Sequence, residues 1–219
     1  MLGRLEKDRP LGRAFASLLE WILRQQLRRR LHGVYLKGEL PPGPLVLAAT
    51  HQTYFDGHFV HLLLGREGHL LLEEANLRAF PYFRLLGGLS TKEVRKALGV
   101  LKGGGRVGIF PEGALRPQGP IGPLKRGAVY LAKRTGVPLV PAVFRVYIRG
   151  FELPEAYLRL GPPVAARLEE LAEAMASLAQ EMDDLQEKTH PRRPLPGFSL
   201  LLKGTRGLDE WLGGSGVVL

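Results

Sequence analysis

The sequence predicts an α/β fold: a single domain with a largely parallel central sheet flanked by helices, preceded by an N-terminal amphipathic helix. Three observations carry this. Short apolar runs of buried-strand length recur at residues 45–49, 69–72 and 106–110. Stretches with helical apolar spacing fill the intervals between them, and strands alternating with helices are the pattern of a parallel sheet. At 219 residues, 45% hydrophobic and 24% charged, the chain has the length and composition for one such domain with its own core.

Residues 11–31 read as a helix. Leu11, Phe15, Leu18, Leu19, Ile22 and Leu23 fall on one side, Arg13, Arg24 and Arg28 on the other, and Arg28-Arg29-Arg30 ends the segment. Two readings fit: a helix packed on the domain with its arginines in solvent, or an interfacial helix with its apolar face at the acyl boundary and its arginines on lipid phosphates. Residues 1–10 are too charged for a secretory signal, and no run of apolar residues has the length of a membrane span. Residues 34–38 alternate as a short strand, and 39–44 form a Pro/Gly turn before the strand at 45–49. A helix then starts at Asp56 or Gly57 and runs to about residue 64. Residues 76–86 have the spacing of one helix, with Pro81 accommodated in its first turn. Gly87-Gly88 stops it, and a short strand over 89–91 leads to a helix over 92–102.

The strand at 106–110 runs into Pro111-Glu112-Gly113. A proline-rich loop spans 114–124, and a helix over 125–135 closes at Gly136. Strands come next over 137–146 and 157–160, then a long acidic helix over 168–187. Residues 191–219 are apolar, aromatic and basic, and either pack on the domain or lie on a membrane. The organisation expected is therefore 1–33, a basic amphipathic helix; 34–190, the main domain; and 191–219, a tail.

The formal net charge is +10. It favours an anionic partner, whether nucleic acid, a membrane surface or an acidic substrate or carrier, and is equally compatible with a solubilising arginine-rich surface. The absence of cysteine excludes disulfides, thiolate catalysis and cysteine-based zinc sites.

The chemistry-bearing stretch is Ala48-Ala49-Thr50-His51-Gln52-Thr53-Tyr54-Phe55-Asp56-Gly57-His58. An apolar strand delivers a histidine, and an aspartate stands five residues later. On one helix those two side chains would sit roughly 140° apart, so they meet only across a turn. A carboxylate on one imidazole nitrogen holds the tautomer in which the other acts as a base. Alone, H-x-x-x-x-D is a weak pattern, and the pair also fits a structural turn with Asp56 as helix N-cap. A metal site is a further alternative, because His58 and His61 stand three apart on a helix and could join His51 and Asp56 as ligands.

Two further blocks raise the specificity. Phe110-Pro111-Glu112-Gly113 comes after a second apolar strand, and Gly136-Val137-Pro138-Leu139-Val140-Pro141 lies beyond it. The ordered set resembles the glycerolipid (lysophosphatidate-type) acyltransferase family, with H-x-x-x-x-D, F-P-E-G and V-P-x-x-P blocks in this order, over residues 11–144. The resemblance implies transfer of an acyl group from acyl-CoA or acyl-carrier protein to a lysolipid hydroxyl, without a resident cofactor or metal. It implies His51 as general base, Asp56 as its orienting carboxylate, and Glu112 and Gly113 shaping the acceptor's glycerol site. Some positions depart from the family pattern. Thr50 precedes the histidine in place of asparagine, Lys92 is the nearest cation to the second block's arginine, and Ala114-Leu115-Arg116-Pro117 replaces T-R-S. Lys92, Arg116, Lys125 and Arg126 are thus the candidates for an acceptor phosphate, and a lysolipid or glycolipid lacking that phosphate is the alternative acceptor. The expected setting is peripheral, on the cytoplasmic face of an anionic membrane. Rival classes are a basic nucleic-acid-binding module, which lacks any RNA-binding or helix-turn-helix signature here, and a non-catalytic lipid-binding relative.

Overall fold

The computed structural model describes residues 10–211. Residues 1–9, whose charge argues against a signal, and 212–219, the end of the tail, lie outside the described residues, as do the side chains of 10–13 and 209. The element order is α1 (Pro10–Arg30), β1 (Gly33–Lys37), β2 (Leu45–Ala49), α2 (Asp56–Leu64), β3 (Gly68–Leu72), α3 (Glu74–Ala79), α4 (Tyr82–Leu85), β4 (Gly88–Ser90), α5 (Val94–Lys102), β5 (Arg106–Ile109), α6 (Gly127–Thr135), β6 (Leu139–Tyr147), β7 (Glu155–Leu160), α7 (Leu168–Lys188), β8 (Ser199–Lys203) and α8 (Leu208–Trp211). One eight-stranded sheet runs β4-β3-β5-β2-β6-β7-β1-β8. The first five strands are mutually parallel. β7 is antiparallel to β6, β1 is parallel to β7, and β8 is antiparallel to β1. The predicted α/β class and largely parallel sheet are thus present.

β2 shows how the core is divided. Its five residues are all buried, the pattern of a strand covered on both faces. Leu45, Leu47 and Ala49 join Leu27 of α1, Phe59 and Val60 of α2 and Leu77 of α3 on one face. Val46 and Ala48 join Ala97 and Leu101 of α5, Leu131 of α6 and Met175 of α7 on the other. The period-two alternation of a strand produces this split. Gly108 of β5 is what allows α2 to close on the sheet, since a Cβ there would stand 2.5 Å from Val60 Cγ1.

Three expectations need correction. The segment 76–86 is not one helix. α3 ends at Ala79 and α4 starts at Tyr82, with Pro81 as its N-cap, because proline lacks the N–H that a continuing helix requires. The helices expected from residues 92 and 125 begin at Val94 and Gly127, which leaves Lys92, Lys125 and Arg126 on the connections before them. The apolar side of α1 divides in two: Leu23 and Leu27 are buried, whereas Phe15, Leu18, Trp21 and Ile22 are exposed. In the described part of the tail, Leu195 and Leu202 are buried and β8 pairs with β1, while Leu200, Leu201, Leu208 and Trp211 are exposed.

Candidate active site

β2 and β5 are neighbours, with Ala48 paired to Ile109, so the loops leaving their C-terminal ends emerge side by side. His51 stands two residues past β2, and Phe110-Pro111-Glu112-Gly113 comes directly after β5. This is the crevice at the carboxyl ends of parallel strands where α/β folds place ligands. Thr50 seats the loop. Its Oγ1 accepts the Phe144 N–H at 2.9 Å and its own N–H donates to Ala142 O at 3.2 Å, so the threonine extends the β2–β6 pairing by side chain.

The His51 ring lies on Phe110, centroids 4.4 Å apart and 12° from parallel. Its Nδ1 is 3.2 Å from Asp56 Oδ2. Asp56 is fully buried, and it points back over the turn rather than capping α2. Oδ2 also accepts the Gln52 N–H at 2.6 Å and the Thr53 N–H at 2.7 Å, while Oδ1 accepts the Thr53 hydroxyl at 2.7 Å. With Nδ1 committed to Asp56, Nε2 is the nitrogen left for a substrate.

The backbone of His51 is gripped from the other loop. Its N–H donates to Glu112 Oε2 at 3.1 Å, and its carbonyl accepts the Arg116 N–H at 2.8 Å. Glu112 Oε1 accepts the Gly122 N–H at 3.1 Å, with Arg116 Nε 4.0 Å away. Glu112 is therefore a buried brace between loops, not part of a cavity wall. Gly113 adopts φ +69, and the Lys125 side chain lies so close that a Cβ on Gly113 would meet Nζ at 2.4 Å. His51, Gly113 and Lys125 edge a cavity of about 640 Å³ whose other walls include Leu71, Phe80, Phe83 and Leu131. The arrangement is an imidazole at the edge of an apolar chamber that one lysine, Lys125, also lines.

A family model described as Acyltransferase matches residues 32–145, which is just over half of the chain. The chain is also 31% identical over 182 residues to the 1-acyl-sn-glycerol-3-phosphate acyltransferase of Bacillus subtilis (strain 168), covering 71% of this chain and 88% of that one. This chain belongs to the Acyltransferase family. It is 28% identical over 111 residues to the chloroplastic 1-acyl-sn-glycerol-3-phosphate acyltransferase BAT2 of Brassica napus, of which it spans only 32%. The crystal structure of the 1-acyl-sn-glycerophosphate (LPA) acyltransferase PlsC from Thermotoga maritima shares the fold, with a TM-score of 0.62 at 20% identity over 81% of this chain and 82% of that one.

The His51–Asp56 loop has a support that the motifs do not point to. Arg145, in the middle of β6, is fully buried. Its guanidinium donates to Gln52 Oε1, to Gly119 O at 2.7 Å and to Asp183 Oδ1 of α7 at 3.3 Å. One side chain thus ties the His51–Asp56 loop to the loop after Glu112. The signal in the sequence is an arginine inside the apolar run Val143-Phe144-Arg145-Val146-Tyr147.

The remaining site candidates separate. His58 and His61 turn toward α1: His58 Nε2 lies 3.3 Å from Gln26 Oε1, and His61 Nε2 lies 3.8 Å from Glu20 Oε1. Burial lowers His58 from 6.5 to about 4, so the imidazole is neutral. No three His, Asp or Glu side chains converge as a metal-ligand set among the described residues. Lys92 and Arg126 do not reach the chamber and line a neighbouring groove instead.

Proposed function

We propose that this acyltransferase moves a fatty acyl group from a thioester, acyl-CoA or acyl-carrier protein, to the free hydroxyl of a lysophospholipid such as 1-acyl-glycerol-3-phosphate. The observation that carries the proposal is the His51–Asp56 pair, with Nδ1 held and Nε2 free, at the mouth of an apolar cavity.

His51 Nε2 takes the hydroxyl proton as the oxygen attacks the thioester carbonyl. The tetrahedral intermediate collapses, the C–S bond breaks, and the imidazolium returns its proton to the departing thiolate. Asp56 keeps the imidazole in the productive tautomer and stabilises its charged form during the step. The apolar walls suit an acyl chain. Lys125 lines the same chamber as His51 and suits an anionic group on the acceptor, and Gly113 leaves room for its side chain. Arg116 lies against Gly122 and Glu112 instead of lining the cavity, so a single lysine serves the acceptor's phosphate. That favours, as a second reading, a lysolipid or glycolipid acceptor without a phosphate there.

The membrane surface is part of the proposal. No helix among the described residues is long and apolar enough to cross a bilayer. The exposed Phe15, Leu18, Trp21 and Ile22 of α1, together with Arg28, Arg29 and Arg30 at its end, suit a peripheral seat on anionic lipid at the cytoplasmic face. Vesicle flotation is expected to show salt-sensitive binding that Trp21→Ser/Ile22→Ser weakens; equal flotation of the variant would remove α1 from the contact. The reaction is tested by thiol release from acyl-CoA and from acyl-carrier protein across a panel of lysolipids and glycolipids. Release that requires 1-acyl-glycerol-3-phosphate is the expected result, and release with phosphate-free acceptors alone would select the second reading.

A further inference from the structure

Beside the chamber, a groove of about 820 Å³ runs between the starts of α5 and α6. It shares Val94, Gly127 and Tyr130 with the chamber wall, so the two cavities meet along that seam. Four cations line it: Lys92, Arg95, Lys96 and Arg126. Lys96 is paired with Glu93 at 2.6 Å. Glu93 is the groove's carboxylate, and hydrogen bonds from Lys96 and from the Ser90 N–H hold it down at about 2. Its charge is further occupied by Arg84. The side chains of Lys92, Arg95 and Arg126 are exposed and make no hydrogen bond or ion pair among the described residues.

These cations stand at or near helix starts, where the backbone dipole adds positive charge. Arg95 and Lys96 occupy the first turn of α5, and Arg126 is the N-cap of α6. Neither helix has an acidic residue in its first turn or a side-chain cap. A helix N-terminus is a partial positive charge, so a cation there is disfavoured unless an anion is present; at α5 the N-cap residue Glu93 supplies one, whereas α6 has no acidic residue in its first turn. α7 shows the usual arrangement, with Glu169 and Glu170 in its first turn. Three unpaired cations, one of them at the start of α6, give the groove a positive potential, and phosphate is a chemistry that both such side chains and free backbone N–H groups can meet.

We infer that this groove takes the phosphate of the donor's phosphopantetheine arm, the group that acyl-CoA and an acyl-carrier protein have in common. The inference rests on the thioester-dependent acyl transfer proposed above. Connectivity separates donor from acceptor. The acceptor's phosphate is carried on the carbon next to the one that bears the reacting hydroxyl, so it must stay within the chamber that His51 and Lys125 both line. The donor's phosphate is a whole pantetheine arm away from the thioester carbon and has to leave the chamber. The seam at Val94, Gly127 and Tyr130 is an exit that ends in unpaired cations.

The test compares wild type with Arg126→Gln and with Lys92→Gln/Arg95→Gln/Arg126→Gln. All three are exposed positions whose loss leaves the core intact. Three donors are used with a fixed acceptor: acyl-CoA, acyl-carrier protein, and acyl-N-acetylcysteamine, which carries the thioester end of the arm without phosphate. The triple variant is expected to raise KM about tenfold or more for the two phosphate-bearing donors, with acceptor KM unchanged and the same rate as wild type on acyl-N-acetylcysteamine. A rise for acyl-CoA alone assigns the groove to the nucleotide's own phosphates, and a rise for the carrier protein alone assigns it to that protein's acidic surface; either overturns the shared-arm inference. Unchanged donor KM, or a rise confined to the acceptor, overturns it as well. A wild-type enzyme that releases no thiol from any donor overturns the acyl-transfer reading, and this inference with it.

Discussion

At the ends of β2 and β5 the functional groups are held by protein; at the starts of α5 and α6 they are not. Asp56 accepts from two backbone N–H groups and a hydroxyl as well as facing His51, and both polar backbone atoms of His51 are bonded to the opposite loop. The side chains of Lys92, Arg95 and Arg126 have no such partners among the described residues. The difference matches the two tasks proposed for these regions. A general base must already be oriented when substrate arrives, since reorganising it during the step would add to the barrier. A charged subsite for a mobile arm needs only potential, and side chains free to adjust supply it without a rigid frame.

The largest effect should fall on the rigid side. His51→Ala is expected to lower kcat by ~100- to 10,000-fold with an unchanged melting temperature; retention of most turnover would remove His51 from the chemistry. Next is Arg145→Met, which strips the donor from Gln52 Oε1 and Gly119 O and leaves Asp183 without its buried partner. The acceptors on Gln52 and Gly119 lose a charged donor at about 1–3 kcal/mol each, while the half-exposed Asp183 adds little, and the loss is read as a lower denaturant midpoint. A midpoint equal to wild type would show that the two loops hold their positions without the arginine. The smallest effect concerns His58, on the buried side between α2 and α1. Its folded value of about 4 lies below the ordinary 6.5, so between those values the unfolded chain binds a proton that the folded chain refuses. Stability therefore falls as pH drops from 6.5 to about 4, by up to ~1.4 kcal/mol per pH unit, and levels off below that. His58→Gln should flatten this slope in pH-dependent unfolding, and an unaltered slope would move the titration to another group.

Some of this is legible in the sequence and the rest is not, for physical reasons. Strands such as Leu45–Ala49 are readable because burial on both faces demands an unbroken apolar run. The pairing of His51 with Asp56 is readable because both ends lie within one turn. Glu112 is correctly placed at a strand end, but its use as a brace depends on Gly122 and on the His51 N–H, partners set by which strands are neighbours. Arg145 stands out only as a charge inside an apolar strand; its role is not readable, because its partners lie 26, 38 and 93 residues away and nothing local says what they are. Proximity to the motifs groups the cations without sorting them. Distance along the chain does not separate Lys125, which faces the chamber, from Arg126, which faces the groove, because adjacent residues at a helix start point in different directions.

The order of strands has a consequence for assembly. β1 lies near the beginning of this sequence, yet its neighbours are β7 and β8, more than a hundred residues later. β2 to β6 can pair among themselves once residue 147 has been made, whereas β1 must wait for Glu155–Leu160 and then for Ser199–Lys203. Contacts of such long sequence separation form late because the intervening chain must be ordered first. During synthesis α1 therefore precedes its docking surface, and both of its apolar sides stay uncovered before the rest of the sheet exists.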